Sequence, residues 1–237
     1  MIQQHTTFTR LLVHDMRNPL SGIVLYTQLL QRQGEYNAEQ QHFLSQIQGE
    51  AQRLRTLLEQ MQLLSKLQQG PQRLRRQWTD LRMLLREVTN QYNTHITAQH
   101  QDLLVTFPST PVPPLLINRP LVQYLFETLV SHAIRFTAGH TGVMVEMVVN
   151  TSSGYGDSHP LLQIIIIDQG PPLPELPAVL YAAVETWDVI AAERAGAGLS
   201  LALCQMIAEA HEGTLVIANH RPTGVRFVVT LPIPSSE

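Results

Sequence analysis

The chain has 237 residues, a hydrophobic fraction of 44% and a formal net charge of −3. This length suits one large domain or two small ones, and the lack of a long Lys/Arg run argues against nucleic acid or a membrane surface as partner. A single cysteine, Cys204, excludes an internal disulfide and a cysteine-cluster metal site. No apolar run reaches the roughly 18 residues of a membrane-spanning helix, and the N-terminus lacks the apolar core of a signal peptide. We therefore expect a cytoplasmic protein, or the soluble part of a larger one.

Residues 5–69 have the composition of long helices, since they are rich in Gln, Leu and Arg. Two helices are predicted, separated by the segment GEYN at residues 34–37, with Asn37 and Gln40 forming a capping box for the second. Apolar residues of the second helix recur at alternating steps of three and four, which predicts a coiled-coil-like seam. The seam residues are Phe43, Ile47, Leu54, Leu57, Met61 and Leu64, with Phe8, Leu12, Ile23 and Leu30 on a similar face of the first helix.

A two-helix hairpin cannot bury such a stripe against itself alone. A homodimer in which two hairpins form a four-helix bundle would bury it. The alternative is a hairpin that packs on the rest of its own chain. We predict a dimerising helical hairpin over residues 1–69.

From residue 70 onward the chain alternates short helical and β-rich segments, which predicts a linker at residues 70–77 and a second domain at residues 78–237. Predicted helices span residues 80–93, with Asp80 as N-cap, 119–136 and 199–211. Predicted strands span residues 103–108, 114–118, 143–150, 162–168, 213–220 and 225–232, the last two joined by a hairpin turn at 222–224. This order predicts a sheet with helices on one face, an α/β sandwich, and an α+β fold for the whole chain.

The segment HDMRNPL, residues 14–20, places chemically active side chains on one predicted helix. His14 and Asn18 stand one turn apart on the same face, and Asp15 lies beside the histidine. A neighbouring carboxylate can orient an imidazole and accept its proton, which makes a ring nitrogen a better nucleophile toward phosphorus. Pro19 removes the backbone hydrogen bond to the Asp15 carbonyl, so we expect the helix to bend here.

This segment resembles the phosphoacceptor box of sensor histidine kinases, whose pattern is His, acid, apolar, Arg/Lys, Thr/Asn/Ser, Pro, Leu, and it matches at all seven positions. The resemblance implies a dimerising hairpin followed by a domain that binds ATP together with Mg²⁺. It also implies that His14 is phosphorylated, that Asp15 is its acid/base partner, and that Asn18 supports phosphatase activity toward a response regulator.

Two glycine-containing segments resemble nucleotide-binding boxes of the same family. Asp168, at the end of the apolar run IIII, and Gly170 match the Asp-x-Gly turn whose aspartate accepts a hydrogen bond from the adenine amino group. Pro172 stands where the family has a further glycine. Gly196 and Gly198 match a second glycine box, in which backbone N–H groups at a helix start hold phosphates. Its third glycine is replaced by Ser200.

A third segment, AIRFT at residues 133–137, resembles the box Asn-Ala-x-Lys-Phe/Tyr-Thr and places His132 at the asparagine position. The family's asparagine supplies a neutral oxygen to Mg²⁺, so the resemblance assigns His132 to the metal and the nucleotide, and Arg135 to the phosphates. Mg²⁺ prefers hard oxygen donors, for which imidazole is a poor substitute. Of the differences from the family pattern, the histidine at position 132 bears most directly on metal binding.

The resemblance supports two functions. In the first, the chain is a histidine kinase core in which ATP phosphorylates His14 and the phosphoryl group passes to an aspartate of a response regulator. In the second, motivated by His132, Pro172 and Ser200, the second domain is a scaffold and the chain is a phosphotransfer or phosphatase module that serves partner proteins. A purely structural coiled-coil adaptor leaves the seven-residue box unexplained. No sensor domain is recognisable, so we expect a separate protein or a removed segment to supply the signal.

Overall fold

The computed structural model describes residues 20–32, 36–67, 74–93, 96, 100–137, 142–150, 160–172 and 198–234. The chain divides into two compact units, Met1–Gln69 and Gly70–Glu237. Within the described ranges, no helix has the length and hydropathy needed to cross a membrane. His14, Asp15, Asn18 and Gly196 lie outside the described residues, so their roles stay predictions.

The first unit contains two helices, α1 over residues 20–32 and α2 over Ala38–Leu67. The predicted capping box is present at the start of α2. Asn37 Oδ1 accepts the Gln40 N–H at 2.8 Å, and Gln40 Oε1 accepts the Asn37 N–H at 3.0 Å. Two N–H groups without helical partners are thereby satisfied, which fixes where the helix begins.

The two helices of this hairpin share a narrow apolar core. Leu20 of α1 packs with Ala51 and Leu58 of α2, and Val24 and Met61 are partly buried against them. Ala51 and Leu58 are seven residues apart, so they lie on one face of α2. Contact between α1 and α2 therefore uses a different stripe of α2 from most of the predicted seam.

The predicted seam faces outward over much of its length. Phe43, Ile47 and Leu54 of α2 are 55%, 45% and 39% exposed, and Ile23 and Leu30 of α1 are 46% and 49% exposed. Leaving large apolar side chains in water costs free energy in proportion to their area. The described part of the hairpin thus presents a second apolar face that its own two helices do not cover.

The second unit has the predicted α/β sandwich fold. Its elements are β1 (Gln77–Thr79), α3 (Leu81–Asn90), β2 (Asp102–Thr106), β3 (Leu115–Ile117), α4 (Arg119–Phe136), β4 (Gly142–Asn150), β5 (Leu161–Ile167), α5 (Gly198–Ala210), β6 (Thr214–Asn219) and β7 (Val225–Pro232). Five strands form one sheet in the order β2-β4-β5-β7-β6, with β2 and β4 parallel and the other neighbours antiparallel. A separate antiparallel pair joins β1 to β3. Strand β1, which the sequence did not predict, begins at the last residue of the predicted linker.

One face of the large sheet is apolar at every second position, as expected for a sheet covered by helices on that face. Its side chains are at most 3% exposed and comprise Val143, Val145, Met147, Leu162, Ile164, Ile166, Val225, Phe227, Val229 and Leu231. Helix α4 packs against α3, α5 and β5. Burial of this continuous apolar layer is the main force that holds α4 on the sheet.

Hydrogen bonds fix the start of α4. Its N-cap, Asn118, accepts the Leu121 N–H on Oδ1 at 3.1 Å and donates from Nδ2 to the Arg75 carbonyl at 2.9 Å. The Asn118 N–H donates to Nε2 of His211 at 3.0 Å, and Nδ1 of that ring donates to the Ile207 carbonyl at 2.7 Å. Burial lowers the pKa of His211, which keeps the ring neutral and able to accept. The start of α4 is therefore tied both to α5 and to the predicted linker.

Candidate active site

Asp168 lies directly after β5 and is 1% exposed. Its backbone N–H donates to the Val225 carbonyl at 3.0 Å, which extends the β5–β7 pairing by one residue. Its Oδ1 atom accepts the N–H groups of Gly170 and Val225, each at 2.9 Å. These two backbone donors hold the carboxylate in a single orientation.

The other carboxylate oxygen of Asp168, Oδ2, is buried and has no hydrogen-bond partner among the described residues. Buried polar atoms in folded proteins almost always have a partner, because an unpaired one costs free energy. Burial raises the pKa of the Asp168 carboxyl, although the two backbone donors and His220 act in the opposite direction. Oδ2 is therefore an acceptor suited to a donor group of a bound molecule.

Two glycines allow the close packing around Asp168. Gly224 has a φ of +106°, and a Cβ at this position would lie 2.0 Å from the Asp168 carbonyl oxygen. A Cβ at Gly170 would lie 2.4 Å from the Phe136 carbonyl oxygen at the end of α4. Any side chain at these positions would push the loop after β5 away from the β6–β7 turn or from α4. The sequence identified Gly170 by its motif, whereas Gly224 was recognisable only as a turn residue.

The C-terminal end of α4 is joined to the same loop. Thr137 donates from Oγ1 to the Ala133 carbonyl at 2.8 Å and accepts the Gln169 N–H at 3.5 Å. Gln101 donates from Nε2 to the Thr137 carbonyl at 2.7 Å. These bonds satisfy backbone groups at the helix end. They also place the last turn of α4 beside the Asp168 loop.

His132, one turn before the end of α4, packs against two aromatic rings. Its ring centroid is 4.6 Å from that of Phe136 with an interplanar angle of 38°, and 5.8 Å from that of Phe227 with an angle of 71°. Phe227 lies on β7 and is fully buried. The imidazole is half-buried in this cluster rather than standing free in a cleft.

Four of the predicted site residues come together at this end of the second unit. Asp168 and Gly170 form the loop after β5, and His132 and Arg135 lie on the last turns of α4, with Arg135 exposed. Gly198 begins α5, as the glycine box predicts. In the part of the chain that the structure describes, no three potential metal-ligating side chains converge.

The sequence did not identify several residues that support this site. Val225 and Phe227 come from β7, and Gln101 precedes β2, so all three are distant in sequence from the motifs they contact. Local patterns carry no signal for such contacts, because they arise only from the pairing order of the sheet.

Two family models match the chain. One, described as "His Kinase A (phospho-acceptor) domain", matches residues 4–70. The other, described as "Histidine kinase-, DNA gyrase B-, and HSP90-like ATPase", matches residues 117–235 and so includes α4, β5 and β7. The chain belongs to the sensor histidine kinase family. The predicted family and fold class are thereby confirmed.

Curated relatives align with nearly all of this chain. The sensor protein EvgS of Escherichia coli K12 is 23% identical over 232 residues, which cover 97% of this chain and 19% of EvgS. The probable sensor histidine kinase TcrY of Mycobacterium tuberculosis is 28% identical over 222 residues, which cover 93% of this chain and 44% of TcrY. The chain thus spans less than half the length of these two relatives.

Solved structures of histidine kinases share the fold. Full-length ShkA in complex with AMPPNP has a TM-score of 0.73 and 21% identity, covering 97% of this chain and 46% of ShkA. ThkA in complex with the response regulator TrrA has a TM-score of 0.60 and 19% identity, covering 95% of this chain and 61% of ThkA. At these identities the likeness concerns the fold alone.

The residues of this site suit the adenine end of an ATP molecule better than they suit the Mg²⁺ ion that accompanies its phosphates. The buried Oδ2 of Asp168 is an acceptor suited to the adenine amino group. Mg²⁺ demands oxygen ligands, whereas the position that supplies the ligand in the family holds the imidazole of His132, packed on Phe136 and Phe227. The acceptor at Asp168 thus suits the predicted adenine contact, whereas the predicted metal position does not suit Mg²⁺.

Proposed function

We propose that this chain is a two-component histidine kinase core that binds ATP and transfers its γ-phosphoryl group to His14. The observation that carries the proposal is the buried carboxylate of Asp168, fixed by two backbone donors, with one oxygen left unpaired among the described residues. The adenine amino group would donate to that oxygen. Guanine and hypoxanthine carry a carbonyl oxygen at the same ring position and would be repelled.

The chemical step transfers one phosphoryl group. A ring nitrogen of His14 attacks the γ-phosphorus, a P–N bond forms, the bond to the bridging oxygen breaks and ADP leaves. Asp15 would orient the imidazole and accept its proton. Positioning and electrostatic stabilisation supply most of the rate in phosphoryl transfer. Arg135 and the backbone N–H groups at Gly196 and Gly198 would therefore hold the phosphates in place.

The phosphorylated histidine would then serve a response regulator. A receiver aspartate would attack the phosphorus of phospho-His14 and take the phosphoryl group. Asn18 would support phosphatase activity toward the response regulator by holding a water for hydrolysis. The fold shared with ThkA, which was solved in complex with a response regulator, supports this choice of partner. ATP and such regulators are found in the cytoplasm, where we place the core.

The hairpin would act as a homodimer. Its outward apolar face includes Phe43, Ile47 and Leu54, and a second hairpin would bury this face in a four-helix bundle. Light scattering of the full chain at micromolar concentration should give the mass of two chains. Ile47→Glu should shift the mass toward one chain, whereas Gln52→Glu, an exposed polar position on the same helix, should not. If the wild type has the mass of one chain, the proposed homodimer is wrong.

The alternative function is a phosphotransfer or phosphatase module whose second unit does not use ATP. The presence of His132, packed against two phenylalanines, where the family has asparagine favours this alternative, because the usual oxygen ligand of the metal is missing. Incubation with γ-labelled ATP and Mg²⁺ or Mn²⁺ separates the two. Acid-labile label that is absent from a His14→Ala control supports the kinase. Absence of both label and nucleotide binding would leave the alternative, to be tested with a phosphorylated partner.

A further inference from the structure

We propose that this chain binds adenine nucleotide without holding a divalent cation, because the imidazole of His132, at the metal position of the family, packs against aromatic rings. In this arrangement Arg135 supplies the positive charge next to the phosphates. The inference rests on the proposed ATP binding and concerns what holds the phosphate end of the nucleotide.

The orientation of the His132 ring is set by its neighbours. Phe136 lies on the following turn of α4 and Phe227 on the sheet beneath, with ring centroids 4.6 Å and 5.8 Å from that of the imidazole. The Nδ1 atom is buried. A ligating nitrogen must direct its lone pair at an accessible ion, and Mg²⁺ in addition demands oxygen ligands in near-octahedral geometry. The buried Nδ1 cannot reach an ion, and neither ring nitrogen is the oxygen donor that Mg²⁺ demands.

Arg135 occupies the same end of α4 and is exposed. Its guanidinium carbon lies 5.5 Å from the centroid of the Phe136 ring. His132 and Arg135 thus both contact Phe136, which links the packed imidazole to the exposed cation. A guanidinium can bind phosphate oxygens through two parallel hydrogen bonds and stays charged at any physiological pH. It also offsets the negative end of the α4 dipole, which would otherwise repel phosphate.

This arrangement has a measurable thermodynamic consequence. If the protein supplied a ligand to the cation, metal and nucleotide would raise each other's affinity by the same factor. If the protein supplies no ligand to the cation, the factor by which metal changes the affinity for nucleotide is close to one. The remaining effect comes from the lower negative charge of the nucleotide when it carries the metal. Removing the divalent cation should then leave the affinity for ATP nearly unchanged.

The test is calorimetric titration of the full chain with ATP, once in EDTA and once in excess Mg²⁺. The wild type should show less than about a threefold difference in Kd between the two conditions. His132→Phe keeps the ring without the nitrogens and should show the same ratio of Kd values between EDTA and Mg²⁺ as the wild type, whatever its absolute affinity for ATP. His132→Asn restores the amide oxygen and should bind ATP at least about tenfold more tightly in Mg²⁺ than in EDTA.

Each outcome supports or overturns the inference. Tightening of the wild type by Mg²⁺ that disappears in His132→Phe would show that the imidazole holds the ion, and would overturn the inference while leaving ATP binding intact. ATP binding that requires Mg²⁺ in both the wild type and His132→Phe would also overturn the inference. If the wild type binds ATP in neither condition, the proposed ATP site fails along with the inference. Circular dichroism melts establish folding, and should His132→Asn not fold, the comparison of wild type with His132→Phe decides.

Discussion

At the base end of the proposed nucleotide site, Asp168 is fixed by the N–H groups of Gly170 and Val225, and its other oxygen is buried with no partner among the described residues. At the phosphate end, the metal position of the family holds His132, packed between Phe136 and Phe227. The base end depends on the backbone geometry of two strands and a turn, and the phosphate end on side chains of one helix. Because the two ends depend on different elements, a substitution on α4 at the phosphate end can leave the packing around Asp168 unchanged.

The largest effect is expected from Gly224→Ala, which breaks the base end. The positive φ disfavours any side chain, and the new Cβ would meet the Asp168 carbonyl oxygen at 2.0 Å. We expect a loss of about 3 kcal/mol in the free energy of unfolding, measured in urea, together with loss of ATP binding. Gly142→Ala is the control, because its Cβ would find no atom nearer than 3.4 Å. Equal stability of the two variants would contradict the packing described for Asp168.

Asp168→Asn removes the acceptor while keeping the shape of the side chain. The amide can still accept from the two backbone N–H groups through Oδ1, but its NH₂ group then faces the adenine amino group. We expect ATP affinity to fall at least about thirtyfold, the loss typical of a hydrogen bond to a charged group. Titration calorimetry measures it, with Asp102→Asn as the control at an exposed position. A decrease in affinity of less than about threefold would show that Asp168 does not bind the adenine base.

At the phosphate end a single exposed cation contributes less. We expect Arg135→Gln to weaken ATP binding by about three- to tenfold, and by the same factor in EDTA and in Mg²⁺. Arg86→Gln is a matched control, since Arg86 is also exposed and stacks on an aromatic ring, Phe107. An effect seen only in EDTA would indicate that in Mg²⁺ a cation, and not the guanidinium, holds the phosphates.

The smallest effect concerns stability and pH. Burial raises the pKa of Asp168 above the ordinary 3.8 in the folded state, so folding stabilises the protonated form. That stabilisation is present below 3.8 and is lost as pH rises through the raised pKa. Asp168→Asn cannot ionise and should be at least as stable as the wild type at pH 7, with the difference shrinking in acid. A variant less stable than the wild type at pH 7 in denaturant unfolding would contradict this.

Most of the secondary structure could be predicted because its signals are local. The predicted caps Asn37 and Asp80 start their helices, and α4 spans residues 119–136 as predicted, although its N-cap, Asn118, was predicted as the end of a strand. Strand β1 was missed, since three residues are too few to show alternation and their partner strand, β3, begins at Leu115.

The site could be predicted only in part, for a related reason. Asp168 and Gly170 form a local motif, and the motif identified them. Val225, which orients the Asp168 carboxylate, comes 57 residues later, and its contact depends on β7 lying next to β5. The packing of His132 on Phe227 likewise depends on sheet order. Motif matching therefore identified the substitution at His132 but not what the ring does there.

The most direct test of the central claim compares the affinity of the full chain for ATP and for ITP, whose base carries a carbonyl oxygen where adenine carries its amino group. The Oδ2 atom of Asp168, which has no partner among the described residues, should accept from the amino group and repel the carbonyl. We predict a preference for ATP of at least about thirtyfold, which Asp168→Asn abolishes or reverses. Equal affinity of the wild type for the two nucleotides would contradict the account.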